Sequence, residues 1–259
     1  MNEHLLSQSN NPVAMFSVLH EAKAQLPNKL HEYLQVTNLG VSFNHPFCFV
    51  HPTQFMFGKR IVEIFDSIHS RRARFESLCA AGDWEGALWT VERPYRPQFL
   101  AELIQRHGIE KMYSVIAEVW TDTETVYSEW ENWEFIWDEV AASKSGKRGL
   151  NARKMMNADE RKYYARLPAK FTVYRGFSAE DGEFGWSWTL DRATAEWFAR
   201  RSAIGGDAPR VATVVVKKAN TFAYFSGRNE AEIVVDISTD CLNPVTIEVL
   251  PPMSRKAAA

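Results

Sequence analysis

The chain has 259 residues, with 30 Lys and Arg against 32 Asp and Glu, and a formal net charge of −2 gives no bulk electrostatic reason to bind nucleic acid. Hydrophobic residues make up 46% and charged residues 24%, the balance of a globular chain long enough to bury one or two cores. Cys48, Cys79 and Cys241 stand far apart with no CxxC pair, the first residues carry neither a basic leader nor a long apolar run, and no stretch reaches the roughly 18 apolar residues of a membrane span, so a soluble cytoplasmic protein with reduced thiols is expected.

Taken in order, Met15–Leu26 has the spacing of a short helix stopped by Pro27. The segment 39–57 mixes aromatics with His45, Pro46, His51 and Pro52 and fits either extended segments or a buried loop. From Lys59 to Ala81 the helical period is clear: Ile61, Ile64, Phe65, Ile68, Phe75 and Leu78 recur at three and four residues, and Gly82 ends the run. Asp83 suits the N-cap of WEGALWTV. Pro94 and Pro97 frame a helix over Phe99–Arg106, and Ile109–Trp120 makes another.

Thr121–Val140 is the most patterned stretch. Thr121 and Glu124 have the form of a capping box, and Val126, Trp130, Trp133, Trp137 and Val140 make one stripe at helical spacing. The other faces carry Asp122, Glu124, Glu129, Glu131, Glu134, Asp138 and Glu139 with no base among them. They are either the solvated back of an aromatic seam or a docking face for a basic partner. Ser143–Lys154 is polar, basic and Gly-containing, the composition of a linker, and Met155–Leu167 reads as a helix stopped at Pro168. Beyond it the sequence turns to β-branched runs. The expected class is therefore α+β, with a mainly helical region over 1–150 suited to docking a target or partner, and a mixed β-sheet domain over 151–259.

The chemistry concentrates between Phe171 and Asp236. Arg175 lies in the strand-like FTVYRGF beside Tyr174, and Gly176 lets a backbone or a ligand approach closely. Its guanidinium there can hold a phosphate by paired hydrogen bonds, or simply pair with a carboxylate such as Glu230 or Asp191. In GWSWT, Ser187 and Thr189 share one face of a strand and Trp186 and Trp188 the other. Asp191 suits the N-cap of a helix over ATAEWFARR that turns Ala195, Phe198 and Ala199 inward. After the turn-forming SGRN, alternation would put Glu230 and Glu232 on one face of a strand and Ala231, Ile233 and Val235 on the other. Paired carboxylates at a sheet rim suit glycosidic chemistry, one stabilising an oxocarbenium-like centre and the other taking a proton; a solvated strand end or a divalent-cation site would look the same. All the histidines precede residue 108, which leaves this region without imidazole ligands, and no metal is expected.

Arg175 in VYRG, Ser187 in GWSWT and Glu232 in NEAE follow one another on three strands, and this resembles the ADP-ribosyltransferase superfamily, in particular its Arg–Ser–Glu class with an ExE element. The helix ATAEWFA after the serine strand fits the same pattern. The resemblance implies a mono-ADP-ribosyltransferase with NAD as substrate and a protein or nucleic acid as acceptor. It implies that Arg175 holds the NAD phosphates and that Ser187 orients the catalytic glutamate and lines the nicotinamide pocket. Glu232 would grip the ribose and stabilise its cation, and Glu230 would deprotonate or position the acceptor. Tyr174, Gly176, Trp188, Thr189 and Phe198 would border the NAD site, and Phe222, Tyr224 and Phe225 would stack on nicotinamide or touch the target. The pattern, including WTDTE and SWTLDRATAEWFA, also looks like uncharacterised proteins of phages and mobile elements. That implies a toxin or effector in phage–bacterium conflict, of the toxin–antitoxin kind if a protein partner neutralises it. NAD hydrolysis alone, or a non-catalytic binding or inhibitor module, are the alternatives.

Overall fold

The structure, a computed structural model, describes residues 12–52, 61–124, 126–144, 152–203, 207–237 and 244–251. It is α+β, with two antiparallel sheets, and divides into two compact units, Met1–Glu102 and Leu103–Ala259.

The first unit holds α1 (Pro12–Gln25), a sheet of β1 (Leu34–Thr37), β2 (Gly40–His45) and β3 (Cys48–Val50), then α2 (Ile61–Ala81) and α3 (Trp84–Trp89). The β1–β2 hairpin turns at Asn38-Leu39, with Thr37 Oγ1 donating to Gly40 O at 3.0 Å and Gly40 at φ +127°. Five of the six residues of β2 are buried, so the strand has no polar face to give a period of two, and the sequence leaves 39–57 undecided for that reason. Leu26, Leu30, Phe43, Cys48, Val50, Ile64 and Ile68 form the core of this unit. As the sequence indicates, Asp83 caps α3, its side chain accepting from Gly86 N at 2.9 Å. The next helix, α4 (Arg96–His107), stops at Gly108 with φ +83°.

In the second unit the helix expected over Ile109–Trp120 runs on to Asp122, and the one expected over Thr121–Val140 begins only at Trp130. Helix α5 (Tyr113–Asp122) runs through Thr121, whose hydroxyl donates back to Ala117 O at 2.9 Å instead of capping; α6 (Trp130–Lys144) begins eight residues later. The aromatic seam is real: Trp133, Trp137 and Val140 are at most 1% exposed. The expected linker falls largely on 145–151, outside the described residues. Helix α7 (Ala158–Arg166) opens on a capping box, with Asn157 Oδ1 accepting from Glu160 N and Glu160 Oε2 accepting from Asn157 N.

The second sheet comprises β4 (Lys170–Phe177), β5 (Ser187–Thr189), β6 (Arg210–Lys217), β7 (Thr221–Phe225), β8 (Glu232–Val235) and β9 (Thr246–Val249), in the order β7-β8-β5-β4-β6-β9. Every pairing described is antiparallel, where a mixed sheet was expected. Helix α8 (Arg192–Ser202), capped by Asp191, crosses β4. At Gly176 its backbone comes so close that an added Cβ would sit 1.8 Å from Ala195 O, so the glycine admits a helix, not a ligand. The compact units thus part well before residue 150, because α5 and α6 pack with this sheet: the Trp137 ring stacks on Phe222 at 5.2 Å and Trp130 lies 4.2 Å from Trp186.

Candidate functional site

The order β8-β5-β4 sets the strands of Glu232, Ser187 and Arg175 side by side. Tyr174, Thr189 and Glu232 lie in register across them, and Ser187 pairs with Val234, so alternation gives Ser187, Thr189 and Glu232 one face. Strands β4 and β5 share only the Tyr174–Thr189 pair; past it the Arg175 side chain spans the gap, with Nε donating to Gly182 O at 2.7 Å and Nη1 to Ser187 O at 2.6 Å. Gly185 leaves room for it, since a Cβ there would lie 2.5 Å from Nη2. Burial, against the upward pull of Glu232 and then Glu183, lowers the guanidinium to about 10, so it remains a cation at neutral pH.

Arg175 and Ser187 open onto a cavity of about 850 Å³, walled by Trp120 of α5, Trp130 of α6 and Trp186. Its rim is acidic, with Glu129, Glu131, Glu180 and Asp181. Burial raises the Glu129 carboxyl, and the Asn132 amide, 2.9 Å away, draws it back down. Tyr127 and Phe184 add exposed rings to the lining, at 86% and 54%. Glu232 does not line the cavity. It is 7% exposed and lies behind the wall, where the indole Nε1 of Trp120 donates to its Oε1 at 3.0 Å.

The other residues singled out in the sequence fall elsewhere. Glu230 is not on the strand: it closes a 3-10 turn, Ala231 follows at φ +45°, and β8 begins only at Glu232, so the expected shared face of the two carboxylates is broken. Thr189 is buried, its hydroxyl donating to Glu230 O at 2.6 Å and accepting from Asp191 N at 3.0 Å, which ties the turn to the start of α8. Trp188 is 1% exposed, and its Nε1 holds Gly185 O at 2.7 Å. Tyr174 packs against Ala195, Ala199, Val211 and Leu250, and Phe198 lies edge-on to Trp197. Phe222, Tyr224 and Phe225 are buried along β7; Phe222 stacks on Trp137 and Tyr224 on Tyr163, which corrects their expected place beside a ligand.

Sequence reading missed Trp120 and Trp130 as site residues. The tryptophan stripe that carries Trp130 is visible in the sequence, but spacing alone gives it to the core, and nothing local ties Trp120 to a carboxylate 112 residues away. No group of side chains suited to a metal ion occurs among the described residues, and none of their helices is long and apolar enough to cross a membrane. No family model matches this sequence, and comparisons with curated proteins and with solved structures gave no match.

Proposed function

We propose that the second unit binds NAD at the Arg175 cavity and transfers ADP-ribose to a macromolecule, as a mono-ADP-ribosyltransferase. The observation that carries this reading is the adjacency of β8, β5 and β4, with Arg175 and Ser187 opening onto one cavity and Glu232 buried against its wall. A volume of about 850 Å³ lies within the range of cofactor sites, about 300–1,000 Å³.

In this reading the diphosphate of NAD seats at the inner end, beside the Arg175 cation. The bond between the nicotinamide nitrogen and ribose C1′ breaks, and its electron pair goes to the nitrogen, which leaves as neutral nicotinamide. C1′ then carries positive charge, which the Glu232 carboxylate stabilises electrostatically. An acceptor oxygen or nitrogen attacks C1′ and gives its proton to a base; Glu230, half-buried at the end of the 3-10 turn, is the candidate. Of the acceptor classes, the acidic rim favours a protein, because carboxylates repel the phosphates of a nucleic acid. The role in phage–bacterium conflict rests on the sequence resemblance alone.

Labelled NAD incubated with the protein and a cell lysate, then split between protease, RNase and DNase, tests this. Label on macromolecules that only protease releases is the expected result. Nicotinamide release with no label transferred makes the protein an NAD glycohydrolase. No NAD binding by calorimetry, together with a stable complex with a lysate protein, replaces the enzymatic reading with a non-catalytic binding or inhibitor role.

A further inference from the structure

Glu232 and Trp120 come from opposite ends of the second unit, 112 residues apart, yet share a buried hydrogen bond of 3.0 Å. Trp120 is 4% exposed and clamped edge-on between Trp133 and Trp137, at ring distances of 4.8 and 5.0 Å. Its indole can turn only by disturbing a packed seam, so the direction of its N–H is fixed by its ring neighbours. The same ring forms part of the cavity wall. A buried carboxylate needs donors to hold its charge and its rotamer. The sequence resemblance gives the orienting of Glu232 to the Ser187 hydroxyl; the indole is a donor that it does not include.

We infer that Trp120 is a positioning residue for Glu232: its indole N–H fixes the carboxylate behind the cavity wall, where its charge bears on the ribose cation, and through it α5 becomes part of the reaction centre. This rests on the NAD reading above, but the coupling itself is measurable without turnover. The chain has nine tryptophans, each giving one indole N–H signal in a nitrogen-15 tryptophan-labelled sample. Trp120→Phe keeps an aromatic ring, smaller than the indole, and removes the donor, so the signal it deletes is that of Trp120. In Glu232→Gln the acceptor becomes a neutral amide, and the Trp120 signal moves upfield while the other indoles keep their positions. A ring that only fills space beside Glu232 predicts no such selective shift, and its absence overturns the inference.

The kinetic arm uses nicotinamide release. Trp120→Phe lowers kcat about 10–100-fold, a larger change than in KM for NAD, because a misdirected carboxylate weakens the transition state more than the ground state. Unchanged kcat, or a loss confined to KM, overturns the positioning role. If wild-type protein releases no nicotinamide at all, the NAD reading fails, and the inference falls with it even where the indole shift shows the hydrogen bond.

Discussion

Arg175 serves two ends at once. Its Nε and Nη1 replace the missing ladder between β4 and β5 by holding the carbonyls of Gly182 and Ser187, and the same guanidinium faces the cavity. Gly185 is the residue that permits this, since a methyl there would meet the guanidinium. Gly185→Ala therefore displaces the charge without opening the core. NAD binding by calorimetry should weaken about tenfold or more, and the melting temperature should fall as the bonds to Gly182 and Ser187 are strained; unaltered affinity would take Arg175 out of the ligand site. In the first unit His45 offers a separate test. It is 8% exposed, its Nδ1 accepts from Phe47 N at 3.1 Å, and Tyr33, Phe43 and Phe47 surround its ring. Burial, with Arg72 second, lowers it from 6.5 to about 4. Between those values the unfolded chain binds the extra proton, so this contribution to stability is full above about pH 6.5 and is lost as the pH falls towards 4. His45→Asn keeps an acceptor but no titration: its urea midpoint should fall less from pH 7 to pH 5 than that of wild type, and an equal fall contradicts the assignment.

At the scale of elements, what the sequence discloses depends on how one-sided each element is. Helix α2 and the α6 seam bury one stripe and declare themselves by period, and Asp83 and Asp191 are readable caps because capping is a local interaction. Strand β2, buried on nearly every residue, has no period to read. The Glu230–Glu232 pairing misleads because Ala231 takes a left-handed φ of +45°, which alternation cannot foresee. Gly176 is visible as a close-approach site, but whether a ligand or a helix approaches is decided by the packing of α8 on β4, which spacing along the strand does not reveal. Gly176→Ala should therefore act on stability: the methyl collides with the Ala195 carbonyl and pries α8 from β4, at a cost of about 1–3 kcal/mol or more. Thermal melts and NAD calorimetry separate the alternatives. Loss of NAD affinity with no loss of stability would return Gly176 to the ligand.

For the whole molecule, the break between Glu102 and Leu103 assigns the tryptophan helices to the sheet, whereas a composition boundary near residue 150 would sever them from it. Without α5 and α6, Glu232 loses the Trp120 donor and Phe222 loses the Trp137 ring. A fragment of residues 96–259, which keeps α4 whole, should unfold cooperatively with dispersed amide resonances, and one of residues 151–259 should not. Cooperative unfolding of the shorter fragment would show that the helices are accessory.

The proposed reaction cleaves the bond between nicotinamide and ribose in the cavity that Arg175 faces, with the Glu232 carboxylate behind its wall stabilising the ribose cation. The most direct measurement is the rate of nicotinamide release from NAD by the full chain in the presence of cell lysate, for wild type and Glu232→Gln. The account predicts release by wild type and a loss of about 100-fold or more in the variant, with the melting temperature nearly unchanged. Equal rates for the two proteins, or no release above lysate background by wild type, would contradict it.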